Sequence, residues 1–217
     1  MKPTEIEGIA YLTYSGSIAY GTNTETSDVD IRGFYQESIS DIITGKARDT
    51  IIFSAEDTVV YSLRHFIRLC KNANPNVLEL LGTKDEHVIF MNDVGKLIRD
   101  NRELFYSKRV FNTFGGYANS QRRKILQTRF CKDSMHLIRL YLMAIDLLEG
   151  RGLHTYREND LDLLMSIRNG NVSTETIFDY ADKLENKMQH AYDNSKLPDK
   201  PDDAAIDNLL LKAYGLR

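Results

Sequence analysis

The sequence predicts an α+β fold: a small mixed sheet in the first part of the chain, then a mostly helical region. Three observations support this. Strand-like runs rich in Val, Ile, Thr and Tyr crowd into the first 90 or so of the 217 residues. From Leu63 onward the apolar residues mostly recur with a helical period. Only 4 prolines interrupt the chain, so long helices are permitted. The expected division is an α/β core over 1–90 and a helical, substrate-binding region over 91–217 packed against it, with a cleft between two lobes.

Each element follows from local pattern. "IAYLTY" reads as a strand over 9–14 that ends at Gly16, and a short helix is expected to start at Ser17. "DVDIRGFYQ" reads as a second strand, with Asp28, Asp30 and Arg32 on one side and Val29 and Ile31 on the other. "ESISDIIT" suggests a short helix or turn. "DTIIF" and "DTVVYSL" suggest two further strands joined by a turn at "SAED". "LRHFIRLCKNA" is a helix stopped at Asn74-Pro75, "NVLELL" another, and "HVIFM" a brief strand. Helices are then expected near 92–103, 108–130, 133–149, 159–168, 173–193 and 203–214. Gly, Asn and Pro in "EGRG", "RNGN" and "NSKLPDKPDD" punctuate them.

Composition narrows the function classes. A formal net charge of -3 with 27% charged residues does not advertise a duplex-binding protein. The first residues lack the apolar run of a signal peptide, and no stretch has 18 uncharged apolar residues, so no membrane partner is expected. Cys70 and Cys131 form no CxxC and read as buried apolar side chains in a reducing, cytoplasmic setting.

The chemistry is concentrated in "SGSIAYGTNTETSDVDIRGFY", residues 15–35. In a strand, side chains two apart share a face, so Asp28 and Asp30 would have Cα atoms roughly 6.6 Å apart and carboxylates able to share one divalent ion. Magnesium takes oxygen ligands and is usually held by one or two carboxylates together with substrate phosphates. Gly16 leaves room for a phosphate against the backbone, and Ser17 offers a hydroxyl at the start of a helix. Ser27 is placed to hold the turn into Asp28 by a local hydrogen bond. A two-metal site asks for a third carboxylate. "SAEDTVVYSL" offers Glu56 or Asp57, with Asp57 favoured because it enters the β-rich run directly.

These residues resemble the DNA polymerase beta-like nucleotidyltransferase superfamily, whose hallmark is Gly-Ser, then Asp-x-Asp, then a carboxylate on a neighbouring strand. The longer run "GSIAYGTNTETSDVDIRGFY" is similar to a branch of predicted nucleotidyltransferases that includes RNA-repair-associated bacterial proteins and phage proteins. "DTVVYSLRHFIRLCKNANPNVLELL", "SKRVFNTFGGYANSQ" and "KDSMHLIRLYLMA" extend the resemblance over most of the chain. His65 departs from it, standing where the branch often has Lys. The resemblance implies a nucleotidyltransferase core. Gly16 and Ser17 would bind the β- and γ-phosphates of a nucleoside triphosphate. Asp28, Asp30 and Asp57 would hold Mg2+, with Mn2+ as a substitute. The implied reaction is in-line attack of an acceptor hydroxyl on the α-phosphorus, with Asp57 or a metal-bound species beside it taking the proton.

The helical half adds candidates. Lys132, His136 and Arg139 fall at i, i+4 and i+7, a basic stripe expected to meet the triphosphate tail. Tyr117 and Gln121, one turn apart, are candidates for base or ribose. Gly115-Gly116 before them is read as an interruption in the helix. Arg122, Arg123 and Lys124 read as a solvated run, or as a track for a nucleic-acid acceptor. Glu79, in an apolar helix, is expected to be the buried partner of an arginine. The acceptor is left open among an RNA or DNA end, a protein hydroxyl and a small molecule. The competing reading is a catalytically inactive nucleotide-binding or antitoxin-like regulatory protein.

Overall fold

The structure is a computed structural model that describes residues 3–54, 57–128 and 131–216. Its sheet is built from β1 (Ile9–Tyr14), β2 (Ile31–Tyr35), β3 (Thr50–Phe53), β4 (Thr58–Ser62) and β5 (Val88–Met91). The strand order is β3-β4-β2-β1-β5. The β2/β4 pair is parallel and the other pairs are antiparallel, so the sheet is mixed.

Short helices punctuate the sheet region: α1 (Gly16–Tyr20), α2 (Ile39–Ile43), α3 (Leu63–Lys71) and α4 (Pro75–Leu78). Their starts follow the local chemistry. The Ser62 hydroxyl accepts from the backbone N–H of His65 and caps α3. Asn74 caps α4, and Pro75 takes its first turn, where no donor is needed. The rest is helical: α5 (Asp93–Asp100), α6 (Arg109–Thr128), α7 (Cys131–Leu148), α8 (Leu161–Arg168), α9 (Thr174–Asn194) and α10 (Asp203–Ala213). The architecture is therefore α+β, a strand core followed by a helical region.

One continuous hydrophobic cluster joins the sheet to these helices. It contains Ala10, Tyr11 and Phe34 from the strands, Leu63 and Phe66 from α3, and Met135 to Leu148 from α7. A smaller cluster of Ile6, Ile9, Leu12, Tyr35 and Val60 lies on the other face of the sheet. In α7 almost every residue from Ser134 to Leu148 is buried, because α6, α8 and α9 surround it. Each fully buried Leu or Ile there stabilises the fold by about 1.5–3 kcal/mol relative to exposure. The chain end is tied back to the sheet: the Tyr214 hydroxyl donates to Glu37 Oε2 at 2.6 Å, and the Arg64 Nε donates to Oε1 at 2.9 Å.

Two expectations need correction. The second strand begins at Ile31, so Asp28 and Asp30 lie in the segment that leads into it. Strand periodicity therefore does not set how they share a face. Nor does Gly115-Gly116 interrupt anything, since α6 runs straight through. A methyl at Gly115 would stand 3.4 Å from Met188 Cε of α9, and one at Gly116 would meet open space, so neither glycine is required by close packing. Among the described residues, Cys70 and Cys131 are free thiols, and no helix is long and apolar enough to cross a membrane.

Candidate active site

The site is organised around Asp30, at the root of β2. The backbone N–H of Ser15 donates to the Asp30 carbonyl at 2.8 Å. On the other side, the N–H of Ile31 donates to the Asp57 carbonyl at 3.3 Å, where the parallel register sets Ile31 beside Thr58. Ser15-Gly16 and Asp57 thus flank Asp30 through backbone contacts. Gly16 has φ +57, a left-handed conformation that favours glycine. A Cβ there would stand 2.2 Å from Asp30 Oδ2. Glycine is what lets the helix start lie against the carboxylate. Asp57 also has a positive φ, +46, in the turn before β4.

Asp28 is held by the loop before it. The Thr24 N–H donates to Ser27 Oγ at 2.8 Å, the local hydrogen bond expected of Ser27. Arg168, from the end of α8, donates to the same oxygen at 3.1 Å. Asp28 and Asp57 are exposed, whereas Asp30 is partly buried. Burial is the main cause that pushes the Asp30 carboxyl above its ordinary range. Arg32 opposes it, Asp57 adds to it, Lys132 opposes it and Asp28 adds to it. The three aspartates therefore share one electrostatic neighbourhood. They do not converge on a point: among the described residues, no group of three or more His, Cys, Asp or Glu is placed to hold a metal ion. The donor chemistry still suits a hard divalent cation, because all three groups are carboxylates and their mutual repulsion is only partly offset. Glu56, the alternative third carboxylate, lies outside the described residues.

Asp30 opens into a cleft of about 380 Å³, lined also by Ser15, Gly16, Arg32, Tyr61 and Asn76. Ser17 is buried and is not among the lining residues. Tyr20 and Glu79 also line the cleft and belong to a buried polar group. Glu79 Oε1 accepts from the Tyr20 hydroxyl at 2.7 Å, and Oε2 accepts from Arg139 Nη1 at 2.7 Å. The Arg139 guanidinium also stacks 3.6 Å from the Tyr20 ring centroid. Glu79 is thus the buried arginine partner the sequence suggested. Arg139, only 3% exposed, is engaged with Glu79 and does not line the cleft, so the expected open stripe of Lys132, His136 and Arg139 is not formed. Lys132 is exposed, and His136 packs edge-on to Tyr20, with ring centroids 5.7 Å apart. Burial, then the charges of Arg139, Lys132, Arg168 and Lys124, lower the His136 pKa to about 3. The imidazole is therefore neutral at physiological pH.

The α6 candidates sit further out. The Tyr117 hydroxyl accepts from Asn74 Nδ2 at 3.3 Å, and Gln121 Oε1 is buried without a partner among the described residues. Arg122 is ion-paired with Asp182 and lies over the Phe178 ring, 5.1 Å from its centroid, so it ties α6 to α9 and forms no track for an acceptor. Sequence reasoning gave no role to Arg32, Tyr61, Asn76 and Arg168. The one available signal was the shared face of Asp30 and Arg32. The other three come into place only through the β2/β4 pairing and the packing of α4 and α8.

A family model, RlaP, described as an RNA repair pathway DNA polymerase beta family, matches residues 2–212. An "uncharacterized 38.9 kDa protein in nrdC-mobD intergenic region" of Enterobacteria phage T4 is 31% identical over 125 residues, covering 52% of this chain. The match spans 37% of the phage protein, little more than a third of its length. With the family model matching nearly end to end, the chain belongs to the RNA repair pathway DNA polymerase beta family.

Proposed function

We propose that this protein is a magnesium-dependent nucleotidyltransferase that moves a nucleoside monophosphate from a nucleoside triphosphate to an acceptor hydroxyl. The carrying observation is the meeting of Gly16, Asp30 and Asp57 at one end of the sheet, with Gly16 Cα against the Asp30 carboxylate. Asp28, Asp30 and Asp57 are the residues that would hold the cation. When bound, the cation offsets their charge and that of the phosphates, and polarises the phosphoryl oxygens.

The chain's own groups have distinct tasks in this reading. Gly16, with no side chain, admits the triphosphate against the backbone, and Ser17 follows it. Lys132 offers an exposed charge to the tail, and neutral His136 offers one N–H. Arg168 fixes the loop that carries Asp28 through Ser27. Arg139 acts at one remove, by holding Glu79 and Tyr20 in the wall of the cleft. Tyr117 and Gln121, on α6 and outside the lining of the cleft, would meet the base or ribose. The acceptor oxygen attacks the α-phosphorus, its proton passes to Asp57, and the bond to the bridging oxygen breaks to release pyrophosphate. Most of the catalysis is positioning and charge.

Incubation with each α-labelled ribonucleoside triphosphate and magnesium, with tRNA, oligonucleotides or lysate as acceptor, tests this. The α-label should enter a product while a γ-label leaves as pyrophosphate. Triphosphate binding with no α-label transferred, in magnesium or manganese, would instead favour a non-catalytic nucleotide-binding protein.

A further inference from the structure

Asp30 feels two cations, Arg32 and Lys132, and only Arg32 has a side-chain contact with it, at 3.8 Å. Lys132 acts on it, and Lys132 also belongs with Lys124, Arg139 and Arg168 to the group that surrounds His136. Arg32 acts on Asp30 and on Tyr61 and is not part of that group. In the proposed reaction the triphosphate tail accounts for Lys132, Glu79 holds Arg139 and Ser27 holds Arg168. Nothing in the reaction described above uses Arg32.

The surroundings of Arg32 suggest what it meets. The parallel register sets Arg32 beside Val59 and Phe34 beside Tyr61, so Arg32 and Tyr61 fall on the face of the sheet that meets the cleft. The Arg32 side chain is 27% exposed. Its contact with Asp30 Oδ1, at 3.8 Å, is too long for a hydrogen bond. Among the described residues it makes no other ion pair or side-chain hydrogen bond. Tyr61 supplies a partly exposed ring, and Asn76, on α4, supplies an exposed amide on the same cleft.

A guanidinium that, among the described residues, has only a long contact to Asp30 and no side-chain hydrogen bond, together with an aromatic face and an amide, forms a set with a chemical meaning. Arginine pairs with phosphate through parallel N–H groups. Aromatic rings stack on bases, and amides read base edges. A neutral sugar or a protein hydroxyl would leave the guanidinium unmatched. We propose that Arg32, Tyr61 and Asn76 form the acceptor subsite of the cleft and bind the terminal nucleotide of a single-stranded polynucleotide. Arg32 takes the last internucleotide phosphate, and Tyr61 and Asn76 take the base. The direction of the strand, with its terminal hydroxyl toward Asp30, rests on the nucleotidyl-transfer reading; the binding itself does not.

Fluorescence anisotropy with short 5′-labelled RNA and DNA oligonucleotides, without triphosphate, tests this separately from catalysis. Wild type should bind. Arg32→Gln should weaken binding about tenfold and reduce the slope of log affinity against log salt by about one. Arg32→Lys should restore the slope. Asn76→Ala, at an exposed position the fold tolerates, should weaken binding with the slope unchanged. Lys46→Gln removes the same charge from the cavity at the far end of β2 and should change neither. The subsite is overturned if wild type binds no oligonucleotide, if Arg32→Gln behaves like Lys46→Gln, or if label is transferred only to a protein or small molecule. Oligonucleotide binding that depends on Arg32, with no nucleotidyl transfer, keeps the subsite and removes the reaction.

Discussion

Gly16 and Asp30 touch so closely that any side chain on Gly16 would displace the carboxylate: an added Cβ would stand 2.2 Å from Oδ2. The positive φ of Gly16 adds backbone strain of about 1–2 kcal/mol for any other residue. Gly16→Ala should therefore fold with a modest loss of stability but lose about a hundredfold or more in transfer rate, because Asp30 must move. Urea melting beside single-turnover transfer separates the two effects. Wild-type transfer in Gly16→Ala would show that this contact does not matter.

That contact was only half legible in the sequence. Gly-Ser and Asp-x-Asp announced themselves by type and spacing, and the strand runs, the α6 to α10 helices and the partnering of Glu79 followed from pattern. The start of β2 did not, because it is set where pairing with β1 and β4 begins, at Tyr14 and Thr58. That pairing is tertiary, and local alternation does not carry it. The glycine pair in α6 read as a break because helix propensity is local, whereas the packing of α6 against α7 and α9 that carries the helix through lies far along the chain. Arg139 read as a ligand for phosphate because helical spacing cannot show that Glu79, 60 residues earlier, already faces it.

The Arg139–Glu79 pair is buried on both sides, so removing one partner leaves an uncompensated charge. Arg139→Met should destabilise the fold by about 3–5 kcal/mol. The double variant Arg139→Met with Glu79→Gln should recover much of that loss, since no buried charge remains. Urea denaturation of both variants checks it. A loss below about 1 kcal/mol in the single variant would mean the pair is solvated and Arg139 is free to bind phosphate.

His136 makes stability depend on pH with a definite sign. Its pKa is lowered to about 3 in the fold, from an ordinary value of about 6.5 in the unfolded chain. The stability it contributes is complete above about pH 6.5 and falls as pH drops through the window toward 3. Each unit within that window costs on the order of 1.4 kcal/mol. Between pH 7.5 and pH 5, wild type should therefore lose about 2 kcal/mol more than His136→Gln, as read from denaturant midpoints. Equal losses would place a solvated, ordinary histidine at this position.

The most direct measurement is single-turnover transfer from an α-labelled triphosphate by Asp30→Asn, beside wild type and with folding checked by melting. The substitution keeps the shape at Gly16 and removes the charge that would hold the cation. Transfer should fall by on the order of 10³ or more while the melting transition persists. Transfer at the wild-type rate in folded Asp30→Asn would contradict the assignment of nucleotidyl transfer to this cleft.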